Sequence, residues 1–115
     1  METILQRLTE LDDVTGAILV GKDGLIVSGT LHSEDEEVIG AMSAAAFGSI
    51  TNYTTQINSG DMHHVIIETQ NGTIQIEEVG DLILVVTTQA PTNLGRVRLE
   101  MKKACNQILQ LVASY

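Results

Sequence analysis

Residues 62–86 read MHHVIIETQNGTIQIEEVGDLILVV, and the organisation of the chain works outward from them. Residues 62–69 form a strand around His64, Val65, Ile66 and Ile67. Residues 73–79 alternate as Thr73, Ile74, Gln75, Ile76 and Glu77, the mark of a half-buried strand. Leu82-Ile83-Leu84-Val85-Val86 is apolar on both faces. Asn71-Gly72 predicts a type I′ turn between the first two, and Gly80-Asp81 turns the chain again. Three strands joined by two tight turns make an antiparallel meander. The doubly apolar run belongs at the centre of a sheet, and the two preceding strands toward an edge.

Upstream lies a second hairpin. Ala17-Ile18-Leu19-Val20 is another doubly apolar run, Lys22-Asp23-Gly24 a turn, and Leu25-Ile26-Val27 the return strand. Three helical stretches flank these strands. Residues 2–12 carry Ile4, Leu5, Leu8 and Leu11 on one stripe. Residues 34–57 start at a cap formed by Ser33 or Glu34. Glu34, Asp35, Glu36 and Glu37 suit the positive end of that helix, and Asn58-Ser59-Gly60 stops it. Residues 93–113 follow the break at Pro91 with Leu94, Val97, Met101, Ala104, Ile108 and Leu111 in register. The predicted order is α-β-β-α-β-β-β-α, an α/β (α+β) fold in one domain, 1–115. Covering both faces of the central strands places the first and third helices on one side of the sheet and the second on the other.

The 115 residues suffice for one such core. Six basic and 15 acidic side chains leave a net charge of −9, a field that repels a phosphate backbone and speaks against nucleic acid as a partner. Four of the six basic residues, Arg96, Arg98, Lys102 and Lys103, fall within residues 96–103. A single cysteine permits no internal disulfide. Met1-Glu2-Thr3 has no basic stretch of a secretory signal, so a cytoplasmic location is expected.

From Val38 to Ile57 no residue is charged, unusual for a surface helix. On a helical projection Val38, Ile39, Met42, Ala46, Ile50, Tyr53 and Ile57 gather on one side, which is expected to face the sheet. Gly40, Ala44, Gly48, Thr51 and Thr55 lie opposite, a small-residue stripe that admits a second helix at close range. Asn52, Thr54, Thr55 and Gln56 speak against membrane insertion. The strand at 62–69 has no lysine, proline or bulge to shield an open edge. A homodimer that pairs this strand with its copy and apposes the two middle helices accounts for both features. Its interface is expected at Gly40, Ala44, Gly48, His63, Val65 and Ile67.

Catalytic motifs are weak. Gly16, Gly21 and Lys22 match the spacing of a phosphate loop, but Asp23 stands where a hydroxyl is required and would repel phosphate. His63 and His64 are adjacent on a strand and point to opposite faces, so they cannot share a metal, and Asp61 with His63 lacks further ligands. His32 is the remaining histidine. Cys105 reads as core, and Ser28 has no nucleophile-elbow context. Arg96 with Glu100 fits an intrahelical pair.

The element order, the hairpin Gly16 to Val27, the small-residue middle helix and the entry Asn93-Leu94-Gly95-Arg96-Val97-Arg98-Leu99 together resemble the Roadblock family of dynein light chain 7 and the bacterial gliding regulator MglB. The resemblance spans essentially the whole chain. It implies a profilin-like sandwich with a five-stranded antiparallel sheet, dimerising through the third strand and middle helix. It further implies a non-enzymatic regulator or scaffold for a Ras-like small GTPase of MglA type, without metal or cofactor. For MglB-like members it points to GTPase docking at Thr51, Asn52, Thr55 and Gln56. Arg96 and Arg98 lie off that face, which favours conformational stabilisation of the GTPase over an arginine finger. A structural adaptor without effect on hydrolysis and a small-ligand sensory domain are the alternatives.

Overall fold

The computed structural model describes residues 1–31, 34–89 and 93–113. The element order is α1 (Glu2–Thr9), β1 (Val14–Gly21), β2 (Ile26–Gly29), α2 (Glu34–Gln56), β3 (His64–Glu68), β4 (Gly72–Val79), β5 (Leu82–Gln89) and α3 (Leu94–Ala113). This is the expected sequence of elements. The first helix ends three residues earlier than its apolar stripe suggests, at Thr9. The expected Ser33 cap, the Pro91 break and His32 lie outside the described residues, as does the Glu34 side chain.

One five-stranded sheet runs in the order β2-β1-β5-β4-β3, and every neighbouring pair is antiparallel. Alternation along the two central strands divides the core. Ala17, Leu19, Leu84 and Val86 join Leu5, Leu8, Val97, Met101 and Ile108 under α1 and α3. Ile18, Val20, Ile83 and Val85 join Phe47, Ala44 and Ile76 under α2. Each of these large side chains contributes about 1.5–3 kcal/mol of burial, so runs apolar on both faces hold the two layers together.

The turns show why local signals succeed or fail. Gly24 adopts φ +92, closing β1 to β2 while the Gly21 amide donates to the Leu25 carbonyl at 2.8 Å. Gly80 takes φ +61 in the second meander turn. Asn71-Gly72 is not a type I′ turn. The loop closes around Gln70-Asn71, with the Thr69 amide donating to the Gly72 carbonyl at 2.8 Å, and Gly72 already belongs to β4 with no positive φ. Glycine is required there for another reason: an added Cβ would run into the Thr88 carbonyl oxygen. At the end of α2, Asn58 takes φ 58 while the Ser59 and Asn58 amides return to the Thr54 and Thr55 carbonyls, a Schellman closure that executes the expected stop. Asn93 caps α3, its Oδ1 accepting from the Arg96 amide at 3.0 Å. Glu100 pairs with Lys103 at 3.3 Å rather than with Arg96.

Candidate interaction surface

The facing of α2 departs from the helical-projection expectation: Ile39 packs on the sheet and Gly48 and Thr55 face outward as expected, but Gly40, Ala44 and Thr51 turn inward and Val38, Met42, Tyr53 and Ile57 outward. Gly40 is buried and Ala44 is 8% exposed, both turned into the sheet with Ser43 and Phe47. A Cβ on Gly40 would lie 2.5 Å from Ile26 Cδ1 and 3.5 Å from Val20 Cγ2. The small residues let α2 descend onto its own sheet rather than onto a partner. Gly40 and Ala44 therefore drop out as outward contacts. Gly48 does face outward: a Cβ added there would meet nothing within 4 Å among the described residues.

Four large residues of the apolar side face solvent instead. Val38, Met42, Tyr53 and Ile57 are 56%, 67%, 64% and 55% exposed. They mark one stripe along the helix, with Ser49 and Ala45 between them. Such a stripe, uncharged from end to end, is an unpartnered hydrophobic face. Between it and the sheet runs a groove lined by Met42, Ala46, Ile67, Ile74 and Ile76.

Beside this groove lies the edge of the sheet. Among the described residues β3 pairs only with β4 and has no bulge, with Val65 opposite Ile76 and Ile67 opposite Ile74 on the α2 side. All the apolar side chains of β3 are only half-buried. The other edge, β2, is four residues long and its pairing is interrupted by a register shift at Leu19/Val20, both of which blunt an edge. β3 is thus the edge able to accept another strand. His63, at its start, is exposed and contacts Glu78 Oε1 at 3.3 Å, while Glu78 Oε2 accepts from Lys22 Nζ at 2.8 Å. The Lys22 hydrogen bond, against slight burial and helped by His63, holds the Glu78 carboxyl below its usual range.

The opposite face of β3 and β4 was the least legible in the sequence. The polar residues of the alternating strand are mostly withdrawn from water beneath α3: Thr73 and Gln75 are buried, and Glu77 stays at the groove's rim. Thr73 Oγ1 is 2.6 Å from Thr88 Oγ1. Gln75 is fully buried, its Nε2 donating to the Leu94 carbonyl at 3.4 Å. Because that carbonyl only accepts, the Gln75 oxygen turns to His64, whose Nε2 donates to it at 2.9 Å. His64 Nδ1 in turn meets Glu77 Oε1 at 2.8 Å. Burial opposes ionisation of Glu77, but hydrogen bonds from His64 and Cys105 and the charges of His64 and Lys102 outweigh it and lower its pKa. Burial, and then the Glu77 carboxylate, push the Cys105 thiol up, so this buried side chain is an inert packing group rather than a nucleophile. The two histidines do point to opposite faces, as adjacency demands, but His64 is no bland edge residue: its side chain is 6% exposed.

The remaining expected docking residues separate. Asn52, Thr55 and Gln56 are exposed at the C-terminal end of α2. Thr51 turns toward the sheet, and its Oγ1 is buried without a hydrogen-bond partner among the described residues, so it offers no outward hydroxyl. Among the described residues no three His, Cys, Asp or Glu side chains are grouped to hold a metal ion. No described helix is long and apolar enough to cross a membrane.

Comparison with known proteins matches this architecture. The model of the Roadblock/LC7 domain family aligns with residues 1–88. The uncharacterized protein MJ0310 of Methanocaldococcus jannaschii is 37% identical over 109 residues, covering 94% of this chain and 96% of its own. Among solved structures, Myxococcus xanthus MglB superposes with a TM-score of 0.91 at 23% identity, over 99% of this chain and 95% of its own. A Roadblock/LC7 domain from Streptomyces avermitilis gives the same score at 16% identity, over 98% of both chains.

Proposed function

The chain belongs to the Roadblock/LC7 domain family, and from that premise we propose that it is a homodimeric, non-enzymatic regulator of a Ras-like small GTPase. The observation that carries the reading is the junction of the bare β3 edge with the outward apolar stripe of α2. A two-fold copy pairing β3 with β3 extends the sheet and sets the two α2 stripes against each other, burying Val38, Met42 and Tyr53 together. Val65 and Ile67 lie beneath them. Gly48 lies about a quarter-turn around the helix from that stripe and opens away from the seam, while His63 sits at the rim.

The two-fold that pairs β3 with β3 sets the two α2 helices antiparallel, so the dimer presents the C-terminal end of one α2 at each end of the helix pair. Asn52, Thr55 and Gln56 then form a polar, uncharged platform, the proposed GTPase contact. An uncharged platform suits a partner whose switch segments change shape with nucleotide, since it reads backbone conformation by hydrogen bonding rather than by charge. With no arginine in that patch, regulation proceeds by stabilising one conformation of the GTPase. Membership of the Roadblock/LC7 domain family supports a regulatory or adaptor role.

Two measurements test the proposal. Light scattering at micromolar concentration gives twice the chain mass if the dimer exists; the mass of one chain rules it out. Affinity capture from native extract, run with GDP and with a non-hydrolysable GTP analogue, retains a small GTPase in the GTP arm. Equal retention in both arms identifies a scaffold without nucleotide sensing, and absence of a GTPase from both arms removes the regulator reading.

A further inference from the structure

The polar groove on the other side of β3 is incomplete in a single chain. It lies between β3 and α3, lined by His64, Glu77, Arg98 and Lys102, with His63 and Glu78 at one end. Arg98 and Lys102 are exposed and, among the described residues, have no carboxylate within 4 Å. Two cations without an ion-pair contact face this groove; Glu77, whose carboxylate the Lys102 charge favours, is already bonded to His64, and Glu78 to Lys22. At the other end of the same strand, Glu68 is exposed, has no cationic partner among the described residues, and shares a face with His64 and Ile66.

The pleat of β3 brings these halves together. Antiparallel pairing of β3 with its own copy, with both α2 helices on one face, requires paired residues to point the same way. The sum of paired positions is then even, and one residue of the strand lies on the two-fold axis. Centring on Val65 sets His64 against Ile66, and centring on Ile67 sets Ile66 against Glu68; both mismatch polar with apolar. Centring on His64 or on Glu68 opposes like with like. Centring on Ile66 alone matches every pair: Val65 with Ile67 on the α2 side, Ile66 with itself, and His64 with Glu68 on the α3 side. Directly paired side chains have Cβ atoms about 4.5–5.5 Å apart, within reach of the long Arg98 and Lys102 side chains.

We propose that the partner subunit's Glu68 enters the groove beside His64 and forms intersubunit ion pairs with Arg98 and Lys102, twice per dimer, so fixing the register of the strand exchange. This rests on the dimer read above and adds to it a specific ionic lock. The lock opposes register slippage, to which an otherwise uniform Val-Ile-Ile strand is prone.

Charge reversal tests it. Glu68→Lys sets lysine against two cations in both halves of the homodimer, and Arg98→Glu with Lys102→Glu sets two acids against Glu68 in both halves. Each homodimer is expected to weaken at least tenfold. Mixing the two variants restores complementarity in both halves, so a heterodimer forms at near wild-type affinity, read by native mass spectrometry of differently tagged chains. All three residues are exposed, and circular dichroism verifies that both variants fold. If both homodimers retain wild-type affinity while the wild type is dimeric, the ionic lock is refuted and the dimer stands. Weakened homodimers without preferential heterodimer formation refute the pairing as well. A monomeric wild type overturns the dimer and the lock together.

Discussion

Replacing Gly40 by alanine, and Gly48 by alanine as its control, separates the two possible facings of α2. In an exposed helix interior, glycine to alanine stabilises by about 1 kcal/mol. Gly48 has no neighbour within 4 Å of an added Cβ, so Gly48→Ala should realise that gain in full in the folded chain. At Gly40 the same Cβ lies 2.5 Å from Ile26 Cδ1, a contact real side chains do not tolerate. Ile26 must swing away or α2 must lift from β1 and β2, and overpacking of this kind costs about 1–3 kcal/mol. Set against the propensity gain, Gly40→Ala is expected to be neutral to about 2 kcal/mol destabilising. The two variants then differ by about 1–3 kcal/mol, or several degrees in Tm for a domain of this size. Urea unfolding of both at one protein concentration measures the difference. A Gly40→Ala variant stabilised as much as Gly48→Ala would refute the tight packing of Gly40 on Ile26 from which the difference is worked.

Other consequences follow from the same contacts. Gly72→Ala drives a methyl against the Thr88 carbonyl, a backbone atom with nowhere to move, so it should destabilise by about 3 kcal/mol or more and break the β4–β5 ladder at its start, read by urea denaturation. Asn93→Ala removes the α3 cap and should cost about 1 kcal/mol in the same assay, whereas Asn93→Asp or Asn93→Ser should retain most of it. Glu77 is held below its ordinary value of 4.5, so the folded state favours the carboxylate. Its contribution is therefore complete above that value and is lost as pH falls through the lower folded value. Thermal stability of the wild type should fall below about pH 4.5, and Glu77→Gln should be less stable at neutral pH and flatter in that acid range. An unchanged acid slope would show that Glu77 is not linked to folding.

Much of the fold is written in short-range pattern. Two runs apolar on both faces had to be central strands, because only burial on both sides rewards such a run, and Ala17–Val20 and Ile83–Val86 are indeed almost fully buried. The alternating strand was read correctly as a strand and wrongly as half-solvated. Period-two polarity has the same appearance whether the polar side meets water or a covering helix. Here Thr73 is satisfied by Thr88, and Gln75 and Glu77 by His64 and the Leu94 carbonyl, beneath α3. No local signal tells a solvated polar row from an internally satisfied one.

The exposed apolar stripe and the bare sheet edge were legible by element but not by residue. The uncharged middle helix carries the one and the unguarded strand the other. A helical projection sorts residues by angle and cannot say which side is in. Assigning the larger apolar residues to the core is the usual rule, but a helix that must lie close to a sheet presents its small residues inward. That inverted the roles of Gly40 and Ala44 against Val38, Met42 and Tyr53, and it turned Thr51 in while leaving Asn52, Thr55 and Gln56 out.

The sequence by itself determined the elements, their order, the antiparallel sheet and its central strands, because these depend on periodicity and on turn and cap chemistry spanning a few neighbours. Only the tertiary structure decided which side of α2 meets the sheet, where the polar side of β4 finds its partners, and that Arg98 and Lys102 line one groove with His64 and Glu77. Those facts depend on how closely distant segments approach, on the 2.5 Å between a Gly40 Cβ and Ile26 for example, and such distances are set by the packed whole.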